Sequence, residues 1–168
     1  DGVKDSLVRF VDFTPYAPSG NAPASFVATA IRSGGAVSAV LVLQLSIDDI
    51  NTLMTESNFR REGMGTSGET YIVGTDYKMR NDSRFFIEHP EEYYRMLRTI
   101  GTSESIISTI ERNNTSVLFQ EVRTDATQAA MRGITDTRMI RDYRGVRVLS
   151  SFTPLSLPDL QWIMLSEI

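Results

Sequence analysis

The sequence predicts an α+β fold: a five-stranded antiparallel sheet with helices over one face, preceded by the three-stranded tail of a second such sheet. Three observations carry this. Short alternating or β-branched runs cluster at both ends of the chain, while helix-period segments fill the middle. Turn signals between neighbouring runs are tight, which makes the strand neighbours antiparallel. The layout SFVATAI–RSGG–AVSAVLVLQLSI near the start also returns near the end as VLSSFTPL–SLPD–LQWIMLSEI, so the first set looks like the last strands of a unit whose second copy is complete.

Taken in order, residues 5–13 (DSLVRFVDF) alternate apolar and polar and read as a strand. The cluster YAPSGNAP turns the chain into SFVATAI (25–31). RSGG then makes a hairpin with the apolar run to Leu45. Ser46 opens S-x-x-D, a capping start for a helix that carries Ile47, Ile50, Leu53 and Met54 on one face and extends through residue 62. ETYIVG (69–74) and KMRNDSRF (78–85) read as a hairpin of two strands around TDY. His89-Pro90 opens a helix that Gly101 stops, residues 103–114 form a second helix, and DATQAAM forms a third, closed by Gly133. Residues 116–122 fit strand or helix equally. TRMIRDY (137–143), VRVLSSFTPL (146–155) and LQWIMLSEI (160–168) are the last three strands, with Trp162 as a core residue.

Composition excludes several function classes. The chain is 41% hydrophobic, enough to bury a core, and its net charge of −4 with scattered Lys and Arg does not suit a nucleic-acid backbone. With no cysteine there is no disulfide, thiolate zinc site or thiol nucleophile. The longest apolar run, residues 36–45, falls well short of the ~20 residues that span a bilayer. Asp1 opens in mid-pattern, without a basic leader, so the sequence reads as part of a longer chain. GMGTSG (63–68) spells a G-x-G-x-x-G, but a helix precedes it and a strand follows. That is the reverse of a dinucleotide loop, so it reads as a flexible helix-to-strand connection. Nothing resembles a G-x-S-x-G elbow or an H-E-x-x-H pair, so an enzyme is not expected. The single histidine, His89, fits a cap or turn better than a metal ligand, and no cofactor is expected.

RNDSRF (80–85) is the most chemically loaded stretch. As a strand it would put Arg80, Asp82 and Arg84 on one face and Asn81 and Ser83 on the other. The arginines could each fork a carboxylate. The structural alternative pairs Arg80 and Asp82 with each other or with Asp142. The expectation is that Arg80 faces a pocket while Arg84 braces the loop. Tyr71, Asp142, Tyr143, Ser150 and Ser151 belong to strands neighbouring this one, Tyr71 with a stronger claim to the core. The candidate ligand-binding set is therefore Tyr71, Arg80, Asp82, Ser83, Arg84, Asp142, Tyr143 and Ser151.

The segments FVDFTPYAPSGNAPASFVATAI, VLVLQLSIDDINTLM, GMGTSGETYIVGTDYKMRNDSRF and DYRGVRVLSSFTPL resemble the double Cache sensor domains of bacteria, which are PAS-like. The resemblance touches residues 8–85 and 125–168 and is weakest between them. It implies the extracytoplasmic, periplasmic part of an inner-membrane chemoreceptor, sensor histidine kinase or nucleotide cyclase, with two PAS-like units stacked between transmembrane helices. Residues 1–45 would be the last three strands of the membrane-distal unit, 46–62 a connecting helix, and 63–168 the complete membrane-proximal unit. The long N-terminal helix and the first half of the distal unit have no counterpart here, so the family's amino-acid motifs in that half cannot be carried over. The expected partners are a small-molecule ligand, an anion being one class that arginines suit, and a second copy of the chain; nucleic acid is not one. The first functional expectation is a ligand sensor that relays binding through its final strand. The second is a structural transmitter without a ligand of its own. A polar pocket lined by two arginines would favour the sensor, and a core filled by Tyr71, Met79 and Phe152 the transmitter. A cytosolic cofactor binder ranks third, because no cysteine or histidine is placed to hold flavin or haem.

Overall fold

Strands β1 (Arg9–Tyr16), β2 (Ala22–Ser33) and β3 (Ala36–Leu45) form one antiparallel sheet in the order β1-β2-β3 in a computed structural model that describes residues 8–55, 64–65 and 67–168. Helix α1 (Ile47–Thr55) follows, its start fixed by the Ser46 hydroxyl, which accepts from the Asp49 amide at 3.2 Å. The remainder of the expected helix and Gly63 and Thr66 of the glycine motif lie outside the described residues. Gly68 donates to the Met64 carbonyl at 2.8 Å, and β4 (Glu69–Val73) starts immediately after it. The motif thus leads into a strand, as its context implied.

Helices α2 (Arg84–Glu88), α3 (Pro90–Thr99), α4 (Glu104–Asn113) and α5 (Asp125–Met131) precede β5 (Asp136–Arg141), β6 (Arg147–Pro154) and β7 (Ile163–Glu167). The second sheet runs β4-β7-β6-β5, antiparallel throughout. The α+β class stands, but this sheet has four strands rather than five. Residues 78–85 leave the sheet after a single bridge, Val73 to Met79. Polar side chains end the ladder. Arg80 N–H still reaches the Ile72 carbonyl at 2.8 Å, but the next acceptor, for Ile72 N–H, is the Asn81 side-chain oxygen at 2.7 Å. Ser83 then caps α2, accepting from the Phe86 amide at 3.1 Å, so the expected Arg80/Asp82/Arg84 strand face does not form. Residues 116–122 are neither strand nor helix but a turn held by a Lys78–Glu121 bridge.

Strand alternation divides the core in two. Tyr71 and Val73 face the helices, in a cluster with Met79, Tyr93, Leu97, Ile107, Ile110, Phe152 and Leu165. Ile72 faces the other way and packs with Phe13, Val117, Leu160 and Trp162, flanked by Ile47, Ile50 and Met54 of α1. Trp162 is thus core, as expected, and sits just before β7. The N-terminal sheet is joined to the rest through this second cluster and through two carboxylates, of which Asp159 takes Arg9 Nη1 at 2.6 Å and the Phe10 amide at 3.3 Å. Asp12 takes both Arg80 Nε (2.8 Å) and Nη2 (2.9 Å) and also Trp162 Nε1 (2.8 Å). By contrast β3 is exposed along nearly its whole length, including Val37 and Val40 through Leu43.

Candidate functional site

The residues that sequence reasoning proposed do not converge on one place. Arg80 is 3% exposed and fully engaged by Asp12, Asp76 and the Lys78 carbonyl. Its partners are therefore neither Asp82 nor Asp142, and it lines none of the cavities described below. Gly74 packs against its guanidinium so closely that a Cβ there would overlap it. Asp82 is a buried acceptor that ties three segments together. It takes Thr115 Oγ1, Ser116 N–H and Oγ at 2.6–2.9 Å and Asn51 Nδ2 at 3.1 Å, while its own amide donates to Asn51 Oδ1. Ser83 is the α2 cap. Ser151 lies on the exposed face, bonded to Thr137, whereas the adjacent Ser150 points inward.

Tyr71, Asp142, Tyr143 and Arg84 do come together, around two acids that the sequence reading passed over. Glu69 and Glu167 are directly opposed in the β4–β7 ladder, and Ser150 is opposed to Glu167 in β6. Both acids share the inward parity of Tyr71 and Leu165, which was the available signal. Glu167, 1% exposed, accepts Tyr71 Oη and Ser150 Oγ, each at 2.8 Å. Glu69, 0% exposed, accepts no hydrogen bond among the described residues, and its ion-pair partner Arg144 stands back at 3.6 Å. Arg144 comes from the β5–β6 turn, where Gly145 adopts φ +81° and Asp142 gathers the Arg144 and Val146 amides at 2.9 Å. The Arg144 Nε bonds to Asp142 at 2.6 Å. The Tyr143 hydroxyl has no hydrogen-bond partner among the described residues, and its ring meets Tyr71 edge-on at 5.8 Å.

The cluster thus sets three buried carboxylates, Glu69, Asp142 and Glu167, against the guanidinium of Arg144. Burial drives Glu69 up from the usual 4.5 to about 7; Arg144 and the neighbouring Tyr143 hydroxyl offset it only in part, and Glu167 and Asp142 add to it. Burial also raises Glu167, against the hydrogen bonds from Tyr71 and Ser150.

A cavity of about 240 Å³ opens onto Glu69 and Arg144, walled by Arg84, Phe85, Glu88 and His89 of α2 and its cap. Arg84 donates to the Gly65 and Gly68 carbonyls of the glycine loop and pairs with Glu88 at 2.8 Å. A larger cleft of about 750 Å³ lies between the α3–α4 turn, residues 119–125 and Tyr143. Its arginines are engaged, Arg123 with Glu121 and over the Tyr77 ring, Arg141 with the Gly145 carbonyl. The space between sheet and helices is itself filled: Tyr71, Met79, Tyr93 and Phe152 are each under 2% exposed. Among the described residues no three acids or histidines group to hold a metal ion, and no helix is long and apolar enough to cross a membrane.

No family model and no curated protein sequence matches the chain. Solved structures do. The ligand-binding domain of the Pseudomonas fluorescens chemoreceptor CtaA, in complex with L-serine, superposes with a TM-score of 0.50 at 17% identity over 98% of this chain and 56% of that one. For the ligand-binding domain of the Pseudomonas aeruginosa PAO1 amino acid chemoreceptor PctC, in complex with GABA, the values are 0.51, 12%, 96% and 55%. The periplasmic sensory domain of the Campylobacter jejuni chemoreceptor Tlp1 gives 0.52, 13%, 98% and 51%. The chain spans about half the length of these domains. With its two antiparallel sheets and the helices laid on the second, it has the fold of the extracytoplasmic sensor domains of bacterial chemoreceptors, the fold that the double Cache resemblance implied.

Proposed function

We propose that the chain is part of an extracytoplasmic ligand-sensing domain of a bacterial transmembrane receptor, a chemoreceptor before a histidine kinase, and that it works by binding rather than by catalysis. Residues 1–45 belong to the membrane-distal unit and 63–168 to the membrane-proximal one, whose final strand β7 hands the change to a membrane helix. The fold shared with chemoreceptor domains supports the class of protein. The observation that supports a ligand in this half is Glu69, a fully buried carboxylate that accepts no hydrogen bond among the described residues and faces a cavity. An unsatisfied buried carboxylate is costly unless something completes it. Because Glu69 is paired with Glu167 of β7, its occupancy bears on the strand that would carry the signal.

The filled interior favours a second reading. Tyr71, Met79 and Phe152 occupy the space beneath the helices, as a transmitter without a ligand of its own would require. A thermal-shift screen of the 168-residue chain against amino acids, organic acids and amines separates the two. A sensor gains melting temperature with the logarithm of ligand concentration, and a transmitter responds to none of them.

A further inference from the structure

We infer that the cavity beside Glu69 is a site for a small primary ammonium ion, its N–H donors directed to the Glu69 carboxylate. The inference rests on the sensor reading and names the class of ligand at a site set apart from the filled space beneath the helices. Glu69 is 0% exposed and accepts no hydrogen bond among the described residues, so both of its oxygens remain to be satisfied. A –NH₃⁺ group has three donors and a full charge. The local charge balance asks for a cation: Glu69, Asp142 and Glu167 are countered by Arg144, whose Nε is taken by Asp142, while Arg84 and Glu88 pair with each other. An anion entering the cavity would meet Glu69 and Glu88 and find both arginines engaged. A divalent metal would lack enough converging oxygen ligands, since among the described residues no three acids or histidines are placed to hold one ion together. About 240 Å³ admits a few heavy atoms beside Phe85, over whose ring the Arg144 guanidinium already lies at 5.7 Å. The upward shift of Glu69 fits the same geometry, because an empty site holds a proton where a bound ammonium would otherwise sit.

Methylammonium and ethanolamine are the probes, with acetate and the neutral ethylene glycol as controls, measured by thermal shift and calorimetry on the 168-residue chain at pH 6 and pH 8. The inference expects both amines to raise the melting temperature, more strongly at pH 8, where the competing proton is gone, and the controls to have no effect. Glu69→Gln should weaken amine binding by roughly tenfold or more, the loss of a charge-assisted hydrogen bond. If that variant does not fold, the discrimination of amines from acetate and glycol by the unmodified chain still decides. Equal shifts from the neutral control, or undiminished binding by folded Glu69→Gln, overturn the inference. A response to acetate or another organic acid alone overturns it while leaving the sensor reading in place. Silence from these compounds overturns the inference, and silence from the wider screen as well overturns the sensor reading.

Discussion

Replacing Glu69 with Gln keeps the shape of a buried side chain and removes its charge. The Glu69 carboxyl is raised in the folded state, so between about pH 4.5 and 7 the folded chain holds a proton that the unfolded chain has released. Its contribution to stability is therefore fully present below pH 4.5 and is lost as pH rises through 7. Glu69→Gln should abolish that slope and exceed the unmodified chain by up to about 3 kcal/mol above pH 7, read from urea midpoints across pH. At Arg80 the sign is opposite. Arg80→Ala strands Asp12 and Asp76, and Asp12→Ala removes the bidentate partner of a buried guanidinium. Each should cost roughly 2–3 kcal/mol, below the range for a fully buried pair because Asp12 is partly solvated. A double-mutant cycle checks that the losses are coupled. Residue by residue, the sequence showed which side chains were chemically loaded but not whom they meet. Asp12 lies 68 positions from Arg80 and 150 from Trp162, and no local pattern records such distances.

Elements were easier to read, because strands and helices obey short-range periods. Each long run with a clear period appeared within a few residues of its expected position, and Ser46 and Pro90 mark helix starts as their chemistry requires. The exception was KMRNDSRF, whose charged and apolar residues mimic strand alternation. There Asn81 replaces a backbone acceptor with its side chain and Ser83 turns the chain into α2, so the fifth strand reduces to one bridge. The same segment explains Gly74, whose missing Cβ makes room for the Arg80 guanidinium. Gly74→Ala should destabilise about as much as Arg80→Ala, by roughly 2–3 kcal/mol, since overpacking and loss of the ion pair coincide. Little added loss when Arg80→Ala is introduced into the Gly74→Ala background would show that the two act through one contact. An unchanged melting temperature in Gly74→Ala alone would contradict the packing.

For the molecule as a whole, the repeat of strand layouts pointed to two sheets, while their docking was invisible because it depends on single long-range contacts. A fragment of residues 46–168 keeps the four strands of the second sheet and should unfold cooperatively. It loses Phe13 and Asp12 from around Trp162, so its Trp emission should be red-shifted relative to the full chain. The full chain carries the opposite liability. The exposed apolar face of β3 is an open edge, and sedimentation should reveal self-association that Leu41→Lys or Leu43→Lys reduces. Mechanically, the joint between the two halves is small. Arg80 grips β1 through Asp12, and Asp82, two residues on, grips α1 through Asn51. Along an extended backbone the Cα atoms that carry those grips stand no more than about 7 Å apart. Apolar packing around Phe13 can slide and the Arg9–Asp159 pair is solvent-exposed and weak, whereas these two pins hold their partners by directed bonds at buried groups, so residues 80–82 act as a fulcrum. A tilt of about 5° there sweeps the far end of a strand roughly 30 Å long through about 3 Å.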